Sequence, residues 1–135
     1  AALRAEYTLP DVSQTVIITR MAGRTPVPEK ESIAALAAHN ATMVIFLSTG
    51  LLKELSAELI RGGYKPDTPA AIVYKASWAD QKVCRCTVED LAHTASDNGI
   101  TKTALICVGY FLGNDYSLSK LYDKSFETEF RKAEI

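Results

Sequence analysis

Three short segments combine residue types suited to holding a flat, partly polar ligand. Leu47-Ser48-Thr49-Gly50 joins an apolar run to a helical pattern, exposing backbone donors at a helix N-terminus. Tyr74-Lys75-Ala76-Ser77-Trp78 sets small residues among aromatics, which leaves the backbone accessible beside two rings. In Gly109-Tyr110-Phe111-Leu112-Gly113 the first glycine permits close backbone approach, and the aromatics can stack on a heterocycle. Each segment also has an ordinary structural explanation: an N-cap by Ser48 or Thr49, a tight hairpin shoulder, and aromatic core packing. Open α/β sheets bind ligands beyond the carboxyl ends of their strands, so the three together are expected to form a groove for an adenosine-sized ligand. Arg20 and Arg24 flank a proline-rich loop. They are the cations able to grip carboxylates bidentately.

No self-sufficient catalytic constellation accompanies these segments. The sequence has no glycine-rich phosphate loop, no nucleophile elbow and no paired metal-ligand motif, so no residue is assigned a catalytic role and no metal is expected. Cys84 and Cys86 alternate in an apparent strand and so share a face, and Cys107 lies far off in sequence. All three read as reduced structural thiols, which points to a cytoplasmic location. Fifteen basic and sixteen acidic residues give a net charge of -1, with no bulk attraction to nucleic acid or anionic lipid. The apolar run from Met43 to Leu47 is far shorter than the roughly 20 residues of a membrane span, and no secretory leader is apparent.

The elements that must position these segments are legible in 135 residues that are 47% hydrophobic, enough for one domain. Strands are expected at Gln14 to Arg20, Thr42 to Leu47, Pro69 to Lys75, Lys82 to Thr87 and Ala104 to Val108, from β-branched content and short apolar runs. Helices are expected at Glu29 to His39, from about Gly50 to Arg61, and from an N-cap at Thr87 through Asp97. Gly62 and Gly63 stop the second helix, and Ala1 to Tyr7 reads as the last turns of another. The short connection around Ala79 and Asp80 makes its two strands antiparallel neighbours. The alternation predicts an α/β domain: a mixed five-stranded sheet flanked by helices. Residues 114–135 carry Leu118, Leu121, Tyr122, Phe126 and Phe130 among charges and are expected to pack as a C-terminal arm.

Four stretches also carry a family likeness: TRMAGRTPVP at Thr19 to Pro28, TMVIFLS at Thr42 to Ser48, DTPAAIVYKASWADQ at Asp67 to Gln81, and SKLYDKSFETEFR at Ser119 to Arg131. They resemble the tetrapyrrole methylases, most of all the subgroup that methylates C11 of precorrin-4 or cobalt-precorrin-4 in cobalamin biosynthesis. The likeness covers the chain at matching intervals. It implies that residues 1–135 are the C-terminal domain of a two-domain, S-adenosylmethionine-dependent C-methyltransferase that is usually a homodimer. The N-terminal domain would be absent, so this part alone would be inactive. The resemblance further implies cofactor contacts at Leu47, Ser48, Ala76, Ser77, Gly109, Tyr110 and Phe111. It leaves Arg20, Arg24 and Lys75 for the tetrapyrrole substrate.

Overall fold

A computed structural model describes residues 1–46 and 48–113; the arm expected at 114–135 lies outside them. Five strands form one mixed sheet: β1 (Val16–Arg20), β2 (Thr42–Phe46), β3 (Pro69–Tyr74), β4 (Lys82–Thr87) and β5 (Ala104–Val108). Their order is β1-β2-β5-β3-β4. β1 and β2 pair in parallel, whereas β5 runs antiparallel to both β2 and β3. β3 and β4 form the antiparallel hairpin that their short connection requires. The α/β class and the mixed five-stranded sheet stand as read from the sequence.

Alternation along the strands sorts the side chains onto two unlike faces. Met43, Ile45, Ala70, Ile72, Ile106 and Val108 meet α1 (Ile33–Ala37), α2 (Leu52–Gly62) and α3 (Leu91–Asp97), which contribute Leu55, Leu59 and Leu91 to the main core. The other face carries Val73 and Cys107 beside Val44 and Leu105, packed with Leu9 and Phe111. The N-terminal segment lies over that face through Leu3 and Ala5, anchored where Thr42 Oγ1 donates to the Tyr7 carbonyl at 2.6 Å.

Local chemistry moves several expected boundaries. The helix predicted from Glu29 to His39 is split. Glu29–Glu31 forms a 3-10 turn, Ser32 is extended, and its hydroxyl accepts from the Ala35 N–H at 3.2 Å to start α1 afresh. Thr87 is not the N-cap of α3. It remains in the β4 ladder, and the Val88 and Glu89 N–H groups donate to Thr68 and Pro66, so the helix begins only after Asp90. Ala1 to Tyr7 is no helix. One turn closes through the Arg4 N–H and the Ala1 carbonyl, and Arg4 turns left-handed at φ 50°. Gly63, at φ 132°, takes the cap expected of one of the two glycines, while Gly62 remains inside α2.

Tyr64, just beyond that cap, is 2% exposed, and its hydroxyl donates to the Ala41 carbonyl. Burial, then the nearby Tyr110, pushes its pKa up from 10.0 to about 12. Because the folded pKa is the higher one, the native state binds more protons between these two values. The stabilisation is whole below pH 10 and is lost as pH rises through the folded value, by up to about 2–3 kcal/mol. Denaturant midpoints should therefore fall between pH 10 and pH 12, and Tyr64→Phe should flatten that part of the profile.

Candidate functional site

The direction of β5 decides which segments can share a site. Its antiparallel register pairs Ala104 with Tyr74 and Ile106 with Ile45, so the beginning of β5 meets the carboxyl ends of β2 and β3. Gly109 and Tyr110 lie at the opposite sheet edge. The Gly109 N–H donates at 3.0 Å to Pro69, where β3 starts, and the Tyr110 hydroxyl is 3.5 Å from Thr68 Oγ1. The close approach that Gly109 permits is to the protein itself: a Cβ there would stand 3.2 Å from the Phe111 ring and 3.4 Å from Thr42 Cα. A groove built from three carboxyl ends is therefore not formed. The edge is made by two ends and one beginning. Phe111, 6% exposed, returns over the sheet face to line a cavity that also touches Ala76 and Ser77.

Beyond the end of β3 the backbone is held under strain. Lys75 (φ 46°) and Ser77 (φ 72°) are left-handed, and so is Thr103 (φ 58°), just before β5. Such non-glycine conformations are costly and gather where structure or function requires them. The Lys75 N–H donates to the Thr103 carbonyl at 2.8 Å, the Trp78 N–H to Lys75 at 3.0 Å, and the Ser77 N–H to Gln81 Oε1 at 2.7 Å. Among the described residues, the N–H and C=O of Ala76 enter no hydrogen bond. Two cavities open on Ala76, Val73 and Leu105. One, of about 410 Å³, runs under Phe111 and the N-terminal segment; the other, of about 260 Å³, lies against Phe46, Thr49, Lys75, Trp78, Thr103 and Ala104.

The remaining candidate side chains are committed within the fold to differing degrees. Ser48 is fully buried. Its hydroxyl donates to Phe46 at 2.9 Å and accepts from the Met21 N–H at 3.3 Å, tying the loop after β1 to the end of β2. The N-cap role offered for Ser48 or Thr49 is not taken up, because no side-chain bond caps the 3-10 turn Thr49–Leu51. Leu47 lies outside the described residues. The Lys75 ammonium is 2.5 Å from Asp80 Oδ2 and sits over the rings of Tyr74 and Trp78. Their mutual hydrogen bond raises the Lys75 pKa and lowers that of Asp80. Arg20 donates to the Met21, Thr25 and Pro26 carbonyls at 3.4, 3.0 and 3.0 Å, so its guanidinium shapes the proline loop. Arg24 is exposed, with no hydrogen bond or ion pair among the described residues.

Cys84 and Cys86 do share the helix-covered face, and Cys107 lies on the other. All three are free thiols, and burial pushes the Cys86 and Cys107 pKa values up, away from a reactive thiolate. Among the described residues no group of three or more His, Cys, Asp or Glu could hold a metal ion, and no helix is long and apolar enough to cross a membrane. The sequence reading offered Trp78 as an aromatic of the second segment but did not anticipate Phe46, Gln81 or Thr103 to Leu105. Had the last strand been read as antiparallel, its beginning would have replaced its end.

Residues 1–92 match the family model of Tetrapyrrole (Corrin/Porphyrin) Methylases. Over 134 residues the chain is 54% identical to the cobalt-precorrin-4 C(11)-methyltransferase of Methanocaldococcus jannaschii, covering 98% of this chain and 52% of that protein. Among solved structures it resembles a cobalt precorrin-4 methyltransferase of cobalamin biosynthesis, at 49% identity and a TM-score of 0.81, over 84% of this chain and 47% of that one. The fold is shared with a uroporphyrin-III C-methyltransferase of Thermus thermophilus complexed with S-adenosylhomocysteine, at 18% identity and a TM-score of 0.64, over 81% of this chain and 46% of that one. The chain spans about half the length of the curated relatives it matches.

Proposed function

From the premise that this chain belongs to the tetrapyrrole methylases, we propose that it is the C-terminal, cofactor-presenting half of an S-adenosylmethionine-dependent C-methyltransferase. Its substrate in this reading is precorrin-4 or cobalt-precorrin-4, methylated at C11. The observation that carries the reading is the edge around Ala76, where a backbone donor and acceptor unengaged among the described residues border two apolar cavities. A nucleoside fits such a place. Its heterocycle needs a donor and an acceptor on one edge and apolar surface on its faces, which Phe46, Leu105 and Trp78 can supply.

When bound, the cofactor supplies an electrophilic methyl group on a sulfonium centre. The residues described here orient and shield it. The Ala76 peptide groups fix register, Ser48 contributes backbone just beyond β2, and Val73 and Leu105 exclude water. Approach along the methyl–sulfur axis is then a matter of positioning, which can supply much of the acceleration. Arg24, exposed beside a loop braced by Arg20, is the cation offered to the peripheral carboxylates of the macrocycle. Assembly as a homodimer in the cytoplasm belongs to the same proposal.

Titrating the native full-length protein with S-adenosylhomocysteine should shift backbone amides at Ala76, Ser77 and Thr103 to Leu105 first. Shifts confined to Gly109 and Tyr110 would relocate the site to the other sheet edge. Arg24→Ala should weaken tetrapyrrole binding by about five- to tenfold, as loss of one charged contact does, and leave S-adenosylhomocysteine affinity unchanged. Equal losses in both would overturn the assignment of Arg24.

A further inference from the structure

We propose that Gln81 is a positioning residue of the cofactor site, acting through Ser77; the inference rests on the reading of Ala76 given above. A peptide unit is planar, and no cis peptide bond occurs among the described residues. The N–H of Ser77 and the C=O of Ala76 belong to one such unit and point in opposite directions. Whatever fixes the direction of that N–H therefore also aims the Ala76 carbonyl. The Ser77 N–H donates to Gln81 Oε1 at 2.7 Å, its one partner among the described residues. Gln81 lines the 410 Å³ cavity but not the 260 Å³ groove, whereas Ala76 lines both. Gln81 thus draws the N–H toward the first cavity and turns the carbonyl away from itself.

The clamp has something to restrain. Lys75 and Ser77 on either side of Ala76 are both left-handed without being glycine, a conformation that relaxes unless the surroundings enforce it. At Lys75 the enforcement comes from the Thr103 carbonyl and from the Asp80 carboxylate. At Ser77 it comes from Gln81. Since Gln81 is exposed and reaches no part of the main core, losing its carboxamide should loosen the turn without unfolding the domain.

The test compares Gln81→Ala with Gln81→Glu in the native full-length protein, titrated with S-adenosylhomocysteine by calorimetry beside thermal melts. Gln81→Ala should weaken binding about five- to tenfold, the worth of one ordered hydrogen bond, with a melting temperature close to that of the unaltered protein. Gln81→Glu keeps an acceptor for the Ser77 N–H and should restore affinity to within about twofold. Full affinity in Gln81→Ala, with the unaltered protein binding normally, overturns the positioning role and leaves the cofactor reading intact. Weakened binding that comes with a lowered melting temperature and is not rescued by Gln81→Glu also overturns it, by marking Gln81 as structural. An unaltered protein that does not bind S-adenosylhomocysteine removes the site and the inference together.

Discussion

Gly62→Ala is expected to lower the unfolding temperature by roughly 10 °C, about 2–3 kcal/mol for a domain of this size, although alanine is the better helix former. An exposed helical glycine replaced by alanine would normally gain up to about 1 kcal/mol. Here the added Cβ would stand 2.4 Å from the Ala34 carbonyl oxygen, 2.8 Å from Ala34 Cα and 2.6 Å from Ala37 Cβ. Two of those atoms are backbone, so no rotamer change can relieve the contact. α1 must move away from α2, and Ile33, Ala37, Leu55 and Leu59 share the core beneath them. Thermal melts of Gly62→Ala and Gly63→Ala separate this from capping. At Gly63, φ 132°, the nearest atom to a Cβ among the described residues, chain neighbours aside, is the Ala37 carbonyl oxygen at 3.9 Å, so its substitution meets only conformational strain. A Gly62→Ala melt equal to that of the parent would show that the helices can slide apart freely.

That pair of glycines shows how far the sequence could be read. Two glycines after an amphipathic run announce a helix end on local grounds, and one of them does form the cap. The requirement that α1 approach Gly62 to within van der Waals contact depends on a neighbour that no local pattern names. The strands were legible because β-branched runs of the right length allow few alternatives, and the β3–β4 hairpin because its connection is short. The placement of β5 between β2 and β3 was not. An apolar run buried on both sides reads alike in either direction, and orientation comes only from which edges remain to be paired. The same gap explains the candidate site. Ala76 was legible as a small residue after a strand, and Ala76 does stand at the edge. Gly109 and Tyr110 were chosen by the same rule, but their strand runs the other way. The left-handed Thr103 carries no sequence mark at all, because threonine gives no signal of φ 58°.

Ala76→Leu is expected to weaken S-adenosylhomocysteine binding by on the order of a hundredfold, near 3 kcal/mol, in the native full-length protein. Ala76 is not left-handed, so a larger side chain meets no backbone penalty there. It is also part-exposed and borders both cavities rather than the main core, so the fold should lose little. The added isobutyl group would fill space between Val73 and Leu105, which the two cavities share, and would displace any heterocycle from the Ala76 peptide groups. Ala76→Gly keeps the same backbone donor and acceptor and should bind within a few-fold of the parent; its added freedom costs about 0.5–1 kcal/mol. Tyr110→Ala is the control for geography. Its hydroxyl belongs to the edge near Thr68, so affinity should stay within about twofold. If Tyr110→Ala abolished binding and Ala76→Leu spared it, the nucleoside would sit at the end of β5, and the antiparallel strand would have misdirected the assignment. The opposite pattern would fix the cofactor at the edge where β2 and β3 end and β5 begins, since there a backbone donor and acceptor unengaged among the described residues coincide with apolar walls.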